Sequence, residues 1–211
     1  MNEWYPKAFR LDGPPAKHGY NGIYIRQHKG AIYHSMEGRW QDAYSRLMSS
    51  DKVSWHLSLT YGGVWLQHYA LNDVLWHGGC TFAGMLAAIE CEGRAGESLT
   101  RQQVNELAEF TAWLAEQEDW PEIKFPDPLW EHQMMVAYGA APTACPSGRI
   151  PWEEVIEMAT MIQDLAARLA AVEDHVPFAN AVLAKHEERL GGLDAHNEFT
   201  DPVLASHEQR I

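Results

Sequence analysis

The chain has 211 residues, 46 % of them hydrophobic, and its 29 acidic against 16 basic residues give a formal net charge of −13. That length suits one well-buried core of roughly 150 residues plus an appendage. The acidic balance, with no basic cluster, argues against nucleic acid as a partner, and no run of about 18 apolar residues offers a membrane span. The opening stretch "MNEWYPKAFRLDGPPAKHGYNG" carries no apolar run of the kind an export signal needs, so synthesis in the cytoplasm is expected. Cys80, Cys91 and Cys145 are odd in number and do not read as a disulfide framework. The first two sit in apolar surroundings and read as small core residues.

In chain order, "GAIYHS" (30–35) predicts a buried strand whose last residue emerges at an edge. "EGRWQDAYSRLMSS" follows with Trp40, Ala43, Tyr44 and Leu47 on one helical face. In "VSWHLSLTYGGVWLQHYA", Val53, Trp55, Leu57 and Leu59 alternate with Ser54, His56, Ser58 and Thr60. That pattern predicts a hairpin around the Gly-Gly pair with one buried face. "LAAIECE" (86–92) predicts another buried strand, and Thr100 with Gln103 forms a capping box opening a helix that aligns Val104, Leu107, Phe110 and Leu114. Residues up to about 150 therefore predict an α/β fold with a central mixed sheet flanked by helices.

After Trp152 the composition shifts: residues 153–211 hold twelve acids and four bases, a net of −8 against −5 for the rest. They predict a separate helical C-terminal module beside a domain spanning 1–152. Residues 168–188 align without gaps on 189–209 with nine of 21 positions identical. Val155, Met158, Ile162, Leu165, Leu169, Val172, Val176, Ala179 and Leu183 step alternately by three and four, the seam of a coiled coil. Pro177, Gly191-Gly192 and Pro202 interrupt the pattern, so a continuous helix is expected only from about 152 to 175. An uncovered stripe of this kind predicts self-association through residues 153–211, with folding back on the chain's own domain as the alternative.

The chemistry-bearing residues lie far apart. His34 ends the first strand, His132 stands in "WEHQ", and Cys145 lies thirteen positions later before a Pro-Ser-Gly turn. Two imidazoles and a thiolate with one open position suit catalytic zinc, but spacing alone leaves Cys145 open as nucleophile, disulfide partner or ligand.

Taken together and in this order, "AIYHSMEG", "VSWHLSLTYGGVWLQHYALNDVLWHGG", "LAAIECEGRAGESLTRQQVNELAEFTAWL" and "TACPSGR" resemble the landmarks of the zinc-dependent N-acetylmuramoyl-L-alanine amidases. That family shares its fold with the peptidoglycan recognition proteins and includes many bacteriophage endolysins; the resemblance covers roughly residues 20 to 152. It implies His34, His132 and Cys145 as zinc ligands, with a loop insertion around "MMVAYGAA" separating the last two. It also implies Glu90 as general base, Trp55 standing where other members use a tyrosine. Thr143 matches a position near the developing oxyanion, and His77 a histidine beside the substrate groove. Trp55, Trp65 and Trp76 are further candidates for lining that groove, and His56 for a supporting role.

The implied activity is hydrolysis of the amide between N-acetylmuramic acid and L-alanine of bacterial peptidoglycan. Without an export signal, an endolysin acting from the host cytoplasm would reach the wall only once the membrane is permeabilised. The alternatives are a noncatalytic peptidoglycan-binding module and a thiol amidase using Cys145.

Overall fold

A computed structural model describes residues 3–18 and 28–208, with side chains described as far as Glu188. Six strands, β1 (Phe9–Arg10), β2 (Ala31–Ser35), β3 (Leu57–Leu59), β4 (Trp65–Gln67), β5 (Ala87–Cys91) and β6 (Leu129–Glu131), form one sheet in the order β1-β4-β3-β5-β2-β6. Strands β3, β5, β2 and β6 run parallel, β4 is antiparallel to β3, and β1 is parallel to β4. The helices are α1 (Trp40–Met48), α2 (Arg101–Gln117) and α3 (Trp152–Glu208). The mixed α/β sheet expected from the sequence is present.

Period-two alternation sends the two faces of each central strand into different cores. Ala31 and Tyr33 of β2 and Ala87, Ile89 and Cys91 of β5 pack with Val104, Leu107, Phe110 and Leu114 of α2, all buried. Ile32 and Ala88 turn to the opposite core with Leu47 of α1, Trp55, Leu75 and Met135. Helix α2 starts where the sequence predicts: Thr100 Oγ1 accepts from Gln103 N at 3.1 Å and Gln103 Oε1 from Thr100 N at 3.0 Å.

The hairpin differs from its expectation. Strand β3 lies between β4 and β5, so Ser54, His56, Ser58 and Thr60 are buried along with Leu57 and Leu59. Both faces are covered, and the polar set is satisfied internally. The Trp55 indole N–H donates to Ser58 Oγ at 2.9 Å, Ser58 Oγ meets His68 Nε2 at 2.8 Å, and His68 Nδ1 donates to the Leu11 carbonyl at 2.8 Å. Gly63 turns the hairpin at φ +76°, a backbone conformation glycine adopts freely.

Helix α3 runs unbroken from Trp152 to Glu208, through Pro177, Gly191-Gly192 and Pro202. The expectation that it stops near 175 is corrected: each proline removes one backbone hydrogen bond while the neighbouring ones carry the helix past it. Two compact units divide the chain, Met1–Gln163 and Asp164–Ile211. Within the first, Val155 and Ala159 are buried against α2's core, and Trp152, Ile156, Met158 and Ile162 pack on it. The side chains of the second copy of the repeat, 189–209, lie outside the described residues. No helix among the described residues is long and apolar enough to cross a membrane.

Candidate active site

Three adjacent parallel strands end at one place. The neighbours β5, β2 and β6 carry Glu90 near the C-terminal end of the first, His34 near that of the second, and His132 directly after the third. His34 and Glu90 are paired in register. Glu90 lies two residues after Ala88, His34 two after Ile32 and His132 two after Trp130, so alternation sends all three toward the face of α1. The carboxyl edge of parallel strands is where such sheets place their ligands.

Cys145 arrives from a loop after the 3-10 helix His132–Tyr138, the segment in which the sequence predicts an insertion. It is tied to the neighbours of both histidines. Ser35 N donates to Cys145 Sγ at 3.2 Å, and Gln133 N donates to the Cys145 carbonyl at 2.7 Å. Its thiol lies 4.0 Å from His34 Nδ1, and the His34 and His132 rings are 4.5 Å apart.

One ligand atom each from His34, His132 and Cys145 lie within 4.8 Å of one another. Donors on a single zinc ion stand roughly 3.3–3.8 Å apart, as bond lengths of about 2.1 and 2.3 Å in a tetrahedron require, so the set fits after a contraction of about 1 Å. Two further observations agree. His34 Nε2 is buried with no hydrogen-bond partner among the described residues, and the donors are two imidazoles and a thiol.

Glu90 sits at the rim of this cluster with its side chain 15 % exposed and Oε1 3.9 Å from His34 Nδ1. Its Oε2 has no hydrogen-bond partner among the described residues. Burial pushes its pKa up to about 8, opposed by the Arg46 charge. Burial likewise pushes the Cys145 thiol up to about 12, with the Glu90 charge adding to the rise and the Ser35 N–H opposing it. His34 is held well below its ordinary value by burial and by His132 and His77. Without a cation the proton stays on the Cys145 sulfur; a metal, if bound, would draw it off.

A cleft of about 670 Å³ opens beside the cluster, lined by His77, His132, Thr143 and Trp76, with Arg46 and Lys52 at its edge. Thr143 Oγ1 accepts from Cys145 N at 3.1 Å, which leaves its hydroxyl proton free to donate. His77 is buried beside the Ala83 backbone, its ring 5.6 Å from that of His34, and burial lowers its pKa to about 3. The predicted residues His34, Glu90, His132, Thr143, Cys145 and His77 are thus brought together.

Trp55 is not among them. It is 2 % exposed, in the core below α1, where its indole serves Ser58. Trp65 is equally buried, leaving Trp76 as the one of the three tryptophans on the cleft. His56 is structural: its Nε2 donates to the Asp73 carbonyl at 3.0 Å and its Nδ1 accepts from Ala88 N at 2.9 Å. Glu92, buried, accepts from Tyr61 N at 2.8 Å.

Sequence reasoning passes over Arg149. Its buried guanidinium donates to the Glu97 carbonyl (3.0 Å), Ser35 Oγ (2.9 Å), the Cys91 carbonyl (3.3 Å) and the Glu92 carbonyl (2.8 Å). It joins the Cys145 turn to the ends of β2 and β5 beside His34 and Glu90.

A mixed sheet bearing a two-histidine, one-cysteine cluster and a carboxylate at its strand ends has the form of a metal-dependent hydrolase. The family model described as N-acetylmuramoyl-L-alanine amidase matches residues 24–148, more than half of the chain, and the chain belongs to that family. Among solved structures, a selenomethionine derivative of AmpD is similar at 16 % identity and a TM-score of 0.56, over 75 % of this chain and 97 % of that one. The amidase LysC from Clostridium intestinale URNW gives 18 % and 0.53, over 72 % and 95 %. The Staphylococcus aureus hydrolase AmiA, solved in complex with its ligand, gives 13 % and 0.55, over 74 % and 85 %. Identities this low speak for the fold alone. No curated protein matches the sequence.

Proposed function

We propose that this chain hydrolyses the amide joining the lactyl group of N-acetylmuramic acid to L-alanine in bacterial peptidoglycan, using zinc held by His34, His132 and Cys145. The observation that carries the reading is the convergence of those three donors and Glu90 at the ends of three adjacent strands, beside an open cleft. Zinc, when bound, supplies Lewis acidity at the scissile carbonyl and lowers the pKa of the attacking water.

The chain's own residues do the rest. Glu90 takes a proton from the water that attacks the carbonyl carbon, then passes it to the amine nitrogen of L-alanine as the C–N bond breaks. Thr143 turns its hydroxyl proton to the carbonyl oxygen as charge develops there. His77 offers a ring nitrogen to the substrate, and Arg46 and Lys52 set positive charge at the cleft edge for the carboxylates of the stem peptide. The products are a glycan strand and a free peptide.

The biological setting that fits is a bacteriophage endolysin, held in the host cytoplasm until the membrane is permeabilised and then acting on the wall to lyse the host. Digestion of purified peptidoglycan, with mass spectrometry of the released ends, tests the reaction: free L-alanine amino termini are expected, abolished by a strong chelator and restored by zinc. Binding without new ends would leave a noncatalytic recognition module. Activity that resists the chelator but falls to a thiol alkylator would make Cys145 a nucleophile.

A further inference from the structure

The geometry points to α3 as a dimerisation element: we infer that residues 165–186 pair with the same segment of a second copy as a parallel, in-register coiled coil. The nine residues from Val155 to Leu183 that step by three and four lie on one continuous helix. Their surroundings change along its length. Val155 is fully buried, and Met158 and Ile162 pack on the core of their own domain. From the next position the same seam faces solvent: Leu165 is 56 % exposed, Leu169 60 %, Val172 61 %, Val176 48 % and Leu183 60 %.

The choice of a second copy rests on the repeat and on charge. A strict 3.5-residue apolar repeat, with no charged residue on the seam from Leu165 to Leu183, keeps facing a partner only if that partner is a helix wound around it. The flanks select orientation. On one side of the seam stand Met161, Arg168, His175 and Val182; on the other stand Ala166, Glu173, Asn180 and Glu187. In a parallel, in-register pair the first flank of one copy meets the second flank of the other five residues further on, which sets Arg168 opposite the partner's Glu173, twice by symmetry. An antiparallel pair would instead set the flank bearing Glu173 and Glu187 against itself. Arg168 is exposed, 3.8 Å from Asp164 on its own helix, and within reach of such a partner. Pro177 follows Val176 and lies off the seam. A dimer carrying two copies of the amidase domain would gain avidity on a polymeric wall.

The test is sedimentation equilibrium of the full chain between ~1 and ~100 μM, where a seam of about three heptads should associate. The expected mass rises from 23.9 kDa toward twice that value across the range. Leu169→Glu, at an exposed position, should keep the fold and the activity on soluble substrate while weakening association at least about tenfold. Arg168→Glu should weaken it by a smaller factor, and adding Glu173→Arg to that variant should restore it. A wild-type monomer throughout the range overturns the inference, as does a Leu169→Glu protein that still dimerises. Failure of the double charge swap to restore association overturns the parallel pairing.

Discussion

Replacing Arg149 by methionine keeps much of the side chain's volume and removes all its donors. Four hydrogen bonds are lost, three of them to backbone carbonyls, and those to Ser35, Cys91 and Glu92 are buried at the strand ends. At about 1 kcal/mol net for each, the variant should lose roughly 4 kcal/mol of stability. The more diagnostic effect is on the metal. Ser35 follows His34 and donates to the Cys145 sulfur, while Arg149 holds the Ser35 hydroxyl and shares a turn with Cys145. Without the guanidinium, the thiol and His34 lose a common anchor, and zinc affinity should fall about 10- to 100-fold, the range for groups that orient ligands. Competition with a chromophoric chelator measures this on folded protein, and urea titration measures the stability in parallel. Arg149→Lys should recover part of both, because an ammonium keeps the charge but cannot span the fork of acceptors. Gly93→Ala offers an independent route to the same state: a Cβ there would stand 1.9 Å from Arg149 Nη2, at a φ of +128° that strains any other residue. Both variants folded with unchanged zinc affinity would refute the anchoring role.

Glu90→Gln should retain zinc and fold while turnover falls by about two to four orders of magnitude, whereas Cys145→Ser should lose metal and activity together; equal metal loss in both, measured by elemental analysis, would contradict the division of roles. Acid should destabilise the protein through His68, whose pKa burial lowers to about 4. Above the unfolded value of about 6.5 both states are neutral; below it only the unfolded chain takes the proton, so about 3 kcal/mol is lost as pH falls from about 6.5 to about 4. His56, displaced in the same direction by burial, adds to the loss. Urea midpoints across that range check the slope, and His68→Gln should flatten it. Trp55→Phe should cost about 1 kcal/mol of stability for the lost bond to Ser58 and leave kcat within a few fold; a large fall in kcat would return Trp55 to the site.

What the sequence makes legible here is local order, and what it hides is coverage. The apolar runs of β2 and β5, the capping box of Thr100 and Gln103 and the 3–4 stepping of α3 are patterns within one element; the first two appear where they predict, while α3 begins at Trp152 as expected but runs on past 175. Strand β6 is three residues, Leu129–Glu131, too short for any period to register, so the position of His132 came from family resemblance and not from a strand ending. Arg149 leaves no trace for a different reason. Its partners are mostly backbone carbonyls, 52 to 58 residues away in sequence, and a carbonyl has no side-chain signature. The alternation of 53–60 misleads because a strand covered on both faces buries its polar residues too. On that face the decisive difference is between polar groups that are satisfied and those that are not. His56, Ser58, His68 and Trp55 spend their donors and acceptors on one another or on backbone, so their burial is complete as it stands. His34 Nε2 and Glu90 Oε2 are buried without hydrogen-bond partners among the described residues, at the ends of neighbouring strands. Leaving such groups unpaired costs about 1–3 kcal/mol each, a burden a fold keeps where a ligand or a reaction relieves it. Residue types alone do not separate the two sets, since both contain buried histidine; the separation appears only when the partners are known.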